Sequence, residues 1–251
     1  MERYRAEGYW EEVGQELLQR TNRTSSIASD DTPFYVLKQR LFFERFLDPA
    51  LQSALSVLEI GQGPGGNLER LQEQGKQVFG VDISPSMIQL ARERGIKNAV
   101  LMTTPKIPFE DRFCDAVFTS TVLQHNRSAD AESLLREMAR VARHEIHLFE
   151  DTSPVPVRDR RSHWLRKPAW YASRLEDLGY ELTDKHRLPL AWQEIAAIIA
   201  RITLDGKRTQ GAAPTPKRLG LEKQMLKIGR AIDRSIPPVM GLTHLSFRRV
   251  N

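Results

Sequence analysis

The chain has 251 residues, long enough for one domain with an ample core and an insertion, and its 40% hydrophobic and 27% charged content is that of a soluble globular protein. Its longest apolar runs, such as residues 195–200, fall far short of a membrane span, and the single cysteine, Cys114, excludes an internal disulfide. The net charge of +5 hides an asymmetry: residues 1–151 carry 18 Lys+Arg against 23 Asp+Glu, a net of −5, and residues 152–251 carry 19 against 9, a net of +10. A basic C-terminal third is either a solvated face or a surface toward nucleic acid, anionic lipid or a phosphorylated substrate.

The chain starts with charged residues and no apolar signal-like run, so a cytoplasmic location is expected, in keeping with a buried, reduced Cys114. Residues 2–20 read as an amphipathic helix with Tyr4, Tyr9, Trp10, Val13, Leu17 and Leu18 as its apolar members. Residues 21–33 are polar and turn-rich, a loop expected to order when ligand binds. A second helix is expected to open at Pro33, with Thr32 as cap, and to stop at Leu47 before Pro49.

Leu55, Val57, Leu58 and Ile60 then form an apolar run too short for a helix and right for a buried strand. The chain turns on Gly61, Gly63, Gly65 and Gly66 into a helix over 67–74. Such glycines let backbone bend sharply and approach a ligand, and the helix start offers unpaired N–H groups. Strands at 77–81, 98–102, 116–119 and 145–150 alternate with helices at 85–94, capped by Ser84, and 129–142. This alternation implies a doubly wound α/β fold with ligands at the carboxyl ends of its strands. A helix over 168–178 ends at Gly179 and a sixth strand follows at 180–187. The next fifty residues hold two more helices, one with Trp192, Ile195, Ile199 and Ile202 on a face, the other with Leu221, Met225, Ile228 and Ile232 as an apolar stripe. Residues 243–250 read as a last strand.

Two cofactor chemistries fit the glycine turn. Gly61-x-Gly63-x-x-Gly66, followed by Asp82 on the next strand, satisfies a dinucleotide fingerprint. The same stretch reads Glu59-x-Gly61-x-Gly63-x-Gly65, and a carboxylate aimed into the loop would repel a pyrophosphate yet suits a sulfonium and an ammonium. With Gly80-Val-Asp-Ile-Ser-Pro-Ser-Met-Ile88, Ile107-Pro-Phe109 and Thr119-Ser-Thr-Val-Leu-Gln-His-Asn126 in the same order, the chain resembles class I S-adenosylmethionine (SAM) dependent methyltransferases over about residues 35–188. The resemblance is to the small-molecule and ubiquinone/menaquinone type.

That resemblance implies a seven-stranded, mostly parallel Rossmann-like sheet with an antiparallel last strand. It divides the chain into covering helices (1–48), a SAM-binding core (49–188), a helical insertion serving as lid or dimer contact (189–240) and the last strand (241–251). SAM is the implied cofactor, with Glu59, Gly61, Gln62, Gly63 and Gly65 around it, Asp82 on the ribose, and Ile83 and Met87 flanking the adenine. Thr103 and Thr104 stand where relatives carry an acid-plus-small pair, and Thr119 ends the fourth strand.

His125, just after that strand, is either a general base or a loop-holding residue. Glu150 and Asp151 either bind an acceptor or cap the next segment. Tyr9, Trp10, Phe34 and Tyr35 are pocket-wall candidates or core. His144-x-x-His147 lies on a strand, where positions i and i+3 face opposite ways, so no metal is expected. The implied activity is methylation of a small molecule, O rather than N or C, in small-molecule biosynthesis, by a protein that is a homodimer if the insertion is its contact. The rivals are RNA or protein methylation through the basic third, a dinucleotide-dependent oxidoreductase, and a SAM-binding scaffold without an acceptor site.

Overall fold

Both faces of the sheet are covered at its centre, so the central strands are buried along nearly their whole length rather than at alternate residues. In this computed structural model, which describes residues 6–19, 32–103, 106–158, 163–205, 215–236 and 239–250, the strands are β1 (Ser56–Ile60), β2 (Gln77–Asp82), β3 (Ala99–Leu101), β4 (Cys114–Ser120), β5 (Ala142–Thr152), β6 (Tyr180–Arg187) and β7 (Gly241–Arg249). They form one seven-stranded sheet in the order β3-β2-β1-β4-β5-β7-β6, with β7 antiparallel to both its neighbours. The chain works outward from β1 to β3 and then returns to β4 beside β1. The end of β1 is therefore the switch point where open α/β sheets leave a crevice.

The helices are α1 (Ala6–Gln19), α2 (Pro33–Phe42), α3 (Gly66–Glu73), α4 (Pro85–Glu93), α5 (Ser128–Val141), α6 (Pro168–Glu176), α7 (Ala191–Asp205) and α8 (Pro216–Ser235). Leu134, Leu135, Met138, Tyr171 and Leu175 of α5 and α6 fill one side of the sheet; Phe34, Phe42, Leu68, Leu71 and Ile88 fill the other. The strands and helices of the core fall where the alternation of apolar runs and turns puts them. Cys114 is buried, as expected, and burial pushes its thiol up to about 12.

Three expectations need correcting. The helix opening at Pro33 does not stop before Pro49: it runs through a π-helical turn, Phe43–Leu47, into Asp48–Ala50. The wider turn makes room for the proline ring against the carbonyl one turn back. Thr32 stands at the cap position, but its buried hydroxyl has no hydrogen-bond partner; Phe34 N–H instead donates to Glu222 Oε1 of α8 at 2.8 Å. In α8 the expected stripe of Leu221, Met225, Ile228 and Ile232 is not the buried one. Arg218, Glu222, Leu226, Gly229 and Asp233 are buried, and Ile228 is 64% exposed. The loop at 21–31 lies outside the described residues. A small hairpin, Val157–Arg158 with Trp164–Leu165, adds an unforeseen element after β5.

Asp233 takes the N–H groups of Trp192 (2.9 Å) and Gln193 (3.1 Å), so the end of α8 caps the start of α7. Gly229 lets the two helices touch: a Cβ there would lie 2.8 Å from Gln193 Cα and N. Gly229→Ala sets two effects against each other. Alanine is better in a helix by about 1 kcal/mol, and overpacking backbone costs about 1–3 kcal/mol. The clash is with rigid main chain, so the expected outcome is a net loss of about 1–2 kcal/mol in urea unfolding, where an exposed glycine such as Gly220 would gain.

Candidate cofactor and acceptor site

The glycine turn at the end of β1 has the conformations only glycine holds easily: φ is +70° at Gly61, +53° at Gly63 and +84° at Gly65. At Gly63 nothing lies within 4 Å of where a Cβ would be, so this residue faces open space, whereas a Cβ on Gly65 would press on Ala91 of α4 at 3.1 Å. Glu59 is 1% exposed; its Oε1 accepts from Asn67 Nδ2 at 2.6 Å and its Oε2 has no partner. Burial pushes its carboxyl well above the ordinary range, against the pull of Asn67. Gln62 is buried too, folded over Gly80, and neither atom of its amide has a partner.

Asp82 ends β2 beside this turn. Its Oδ2 accepts Gly63 N–H and its Oδ1 accepts Ser84 N–H, both at 2.9 Å. Burial raises its pKa and those amides draw it part of the way back. Ser84 caps α4 by accepting Met87 N–H at 3.1 Å, as expected. Glu11 of α1, which the sequence reading passed over, accepts from both serine hydroxyls, Ser84 Oγ at 2.7 Å and Ser86 Oγ at 2.6 Å. It thereby seats α1 over this end of α4. Met87 is buried under α1 with Val13 and Leu17, while Ile83 is half-buried. Thr103 is exposed and Thr104 lies outside the described residues.

On the other side of the glycine loop stands the turn after β4. Leu123–His125 is a single 3-10 turn, held from two directions. Glu150, at the end of β5 and fully buried, accepts the N–H groups of Val122 (3.0 Å), Leu123 (3.1 Å) and Gln124 (3.2 Å). The carboxylate thus caps this turn, which precedes β5 in the chain, rather than the segment after it. Arg166 grips the same turn by its carbonyls, with Nη1 on Leu123 O at 2.8 Å and Nη2 on Asn126 O at 2.6 Å. The buried Thr119 hydroxyl lies near Glu150 without a hydrogen bond of good geometry. Thr121 is held at φ +59°, an uncommon strain for a β-branched residue. The turn also abuts the glycine loop, since a Cβ on Gly61 would run into Val122 Cγ2 at 2.5 Å.

The structure brings Trp10 and His125 together, ring centroids 5.2 Å apart, and adds His163 against His125 at 4.6 Å. Tyr9 packs edge-on to Trp10 at 5.1 Å. Nothing in the sequence marks His163, because the hairpin that delivers it has no periodic pattern. Tyr35 is half-buried on α2, and Phe34 is core. Asp151 accepts from Gln124 Nε2 at 3.3 Å and has a buried Oδ1 with no hydrogen bond. Burial alone would lower the pKa of Lys38, but the carboxylates of Asp151 and Glu194 outweigh it and hold the ammonium charged; Lys38 Nζ is 3.4 Å from Glu194 Oε1. His144 is exposed and His147 buried against His244, so the pair faces apart as a strand requires.

Comparison with known proteins agrees with this geometry. A family model described as a methyltransferase domain matches residues 58–149. An uncharacterized methyltransferase of Mycobacterium tuberculosis is 33% identical over 197 residues, 73% of this chain and 78% of that protein. A demethylmenaquinone methyltransferase of Tropheryma whipplei is 33% identical over 88 residues, 34% of this chain and 36% of its own length, and the match to a Bacillus subtilis methyltransferase also spans only about half of that protein, 54%. Among solved structures, a geranyl diphosphate C-methyltransferase from Streptomyces coelicolor, in complex with Mg2+, geranyl diphosphate and S-adenosyl-L-homocysteine, shares the fold with a TM-score of 0.61 at 13% identity, over 96% of this chain and 98% of that one. The chain belongs to the class I SAM-dependent methyltransferase family.

The residues fit that family's cofactor. Gly63 is an open cradle, and the unpartnered Glu59 Oε2 is a buried acceptor waiting for a cationic donor beside it. Among the described residues no helix is long and apolar enough to cross a membrane, and no three His, Cys, Asp or Glu side chains converge.

Glu150 has a testable signature. Burial pushes its carboxyl up to about 7, although three amides favour the charged form. Between the ordinary value of 4.5 and about 7 the folded state therefore holds a proton that the unfolded state has lost. Stability contributed by this group falls as pH rises through that window. Relative to Glu150→Gln, the wild type is expected to lose about 1–3 kcal/mol between the two ends, read from urea midpoints along a pH series. A pH-independent difference between the two proteins would refute the assignment.

Proposed function

We propose that this protein transfers a methyl group from SAM to a small-molecule acceptor, at an oxygen, with His125 as the base. The observation that supports the reading is the direct packing of the clamped turn on the glycine loop, Val122 against Gly61, with His125 three residues on in the same turn. In-line displacement gains most from holding acceptor and methyl in register, and a turn gripped by both its amides and its carbonyls suits that task.

When bound, SAM supplies a methyl made electrophilic by a cationic sulfur. Glu59 would hold the ammonium end and Asp82 the ribose hydroxyls, its own position fixed by the Gly63 and Ser84 amides. His125 would take the proton from the acceptor hydroxyl, a task for which imidazole is suited near neutral pH. Trp10 and His163 flank that ring and would hold a planar acceptor between apolar surfaces and exclude water. Tyr35 and Lys38, with Asp151 beyond them, would border the far side. The identity between this chain and the mycobacterial methyltransferase extends well past the glycine loop, which supports an acceptor-handling enzyme rather than a bare cofactor scaffold.

Calorimetry with S-adenosylhomocysteine tests the cofactor half. Asp82→Ala is expected to lose at least about tenfold in affinity, since charge-assisted bonds to two hydroxyls are at stake. Glu59 must ionise to meet an ammonium, so binding should release up to about one proton, seen as a dependence of the heat on buffer ionisation. Glu59→Gln should abolish that release. Unchanged binding in both variants, or tight binding of NAD(H) instead, overturns the assignment. For the acceptor half, His125→Gln should lower kcat about 100-fold on a hydroxyl acceptor found by screening, with cofactor affinity intact.

A further inference from the structure

The helical pair α7–α8 is packed inside out. The side of α7 that meets the rest of the protein carries Gln193 and the small residues Ala196, Ala197 and Ala200, and Gly229 of α8 fits against it. Its large apolar side chains point the other way: Trp192, Ile195, Ile199 and Ile202 are between 36% and 64% exposed. Ile228 of α8 continues the exposed apolar set. Among the described side chains, Glu222 and Asp233 are buried at helix N-termini and Glu194 pairs with Lys38. Arg201, Lys217, Lys223, Lys227, Arg230 and Arg234 remain exposed.

Removing large aliphatic side chains from water is favourable by about 25 cal/mol per Å2, so a stripe of isoleucines ending in a tryptophan calls for a cover. The exposed charge of the same helical pair, basic among the described residues, says which. A second copy of this chain would bring one set of cations against another, at a cost in repulsion. Nucleic acid would satisfy the cations and leave the isoleucines wet. An anionic bilayer satisfies both, with the apolar stripe at the acyl boundary and the lysines and arginines among the headgroups.

We propose that the outer face of α7–α8 docks the protein on an anionic lipid surface, with Trp192, Ile195, Ile199 and Ile202 entering the interface. Docking does not depend on the methyl-transfer reading, and it gives the insertion a job other than covering the pocket. Because Glu222 and Asp233 tie the pair to α2 and to itself, the stripe is presented on a fixed support.

The test is cosedimentation of the full chain with vesicles of phosphatidylcholine alone or with added phosphatidylglycerol. Binding is expected on the anionic vesicles only, weakening with salt, and about fivefold for each of Lys223→Gln and Lys227→Gln. The double variant Ile195→Ser/Ile199→Ser should lose it while keeping the wild-type unfolding midpoint, because both side chains are exposed. Absence of binding, equal binding to neutral vesicles, or full binding by the double variant overturns the proposal. So does a lipid-free dimer in light scattering that the double variant dissociates, which would give the face to a second copy.

Discussion

Carboxylates that accept backbone N–H groups hold the parts of this protein together. Asp82 binds the amides of Gly63 and Ser84, Glu150 those of residues 122–124, Glu222 that of Phe34, and Asp233 those of Trp192 and Gln193. Each acts at a place where the backbone has donors left over, a turn or a helix start, and Glu150, Glu222 and Asp233 join elements distant in sequence. A charge-assisted bond of this kind contributes about 1.5–3 kcal/mol and loses most of that when either partner goes. The acids so used are withdrawn from the surface. In the C-terminal third this deepens a basic excess already present in the composition.

The same device sets the division between fixed and covering parts of the site. The His125 turn has its amides on Glu150 and its carbonyls on Arg166, is braced by the strained Thr121, and touches the glycine loop. These pieces all hang on β1, β4 and β5, the centre of the sheet, so cofactor cradle and candidate base keep one geometry. Trp10 and His163 reach the site from outside the sheet, from α1 and from a short hairpin that Arg166 ties to β5. Glu11 on Ser84 and Ser86, together with Val13 and Leu17 on Met87, seats α1 on the start of α4.

The sheet was legible because its order follows from local signals: short apolar runs, glycine and proline punctuation, and helical spacing between them. The cofactor side was legible for the same reason, since Glu59, the glycines and Asp82 lie within one strand–turn–helix unit and the strand beside it. What the sequence hid was long-range. Glu222 accepting the N–H of Phe34, 188 residues earlier, Arg166 gripping a turn some forty residues before it, and His163 reaching His125 leave no mark in any window of the chain. The π-helical turn before Pro49 was hidden because a proline reads as a stop wherever backbone cannot widen to admit it.

The α7–α8 pair shows why periodicity cannot decide inside from outside. Spacing correctly groups Trp192, Ile195, Ile199 and Ile202 on one face, and the usual inference sends that face to the core. Here the opposite stripe won because it offers what the neighbours need: small residues where Gly229 approaches, and two buried acids where helix N-termini had no other acceptor. An unpaired amide at a buried helix start costs about 1–3 kcal/mol, comparable to the gain from burying one isoleucine. Two such amide sites and close backbone packing can therefore outweigh part of an apolar stripe, but not all of it. The remainder stays as exposed apolar surface, and an energetic debt of that size is settled only when something covers it.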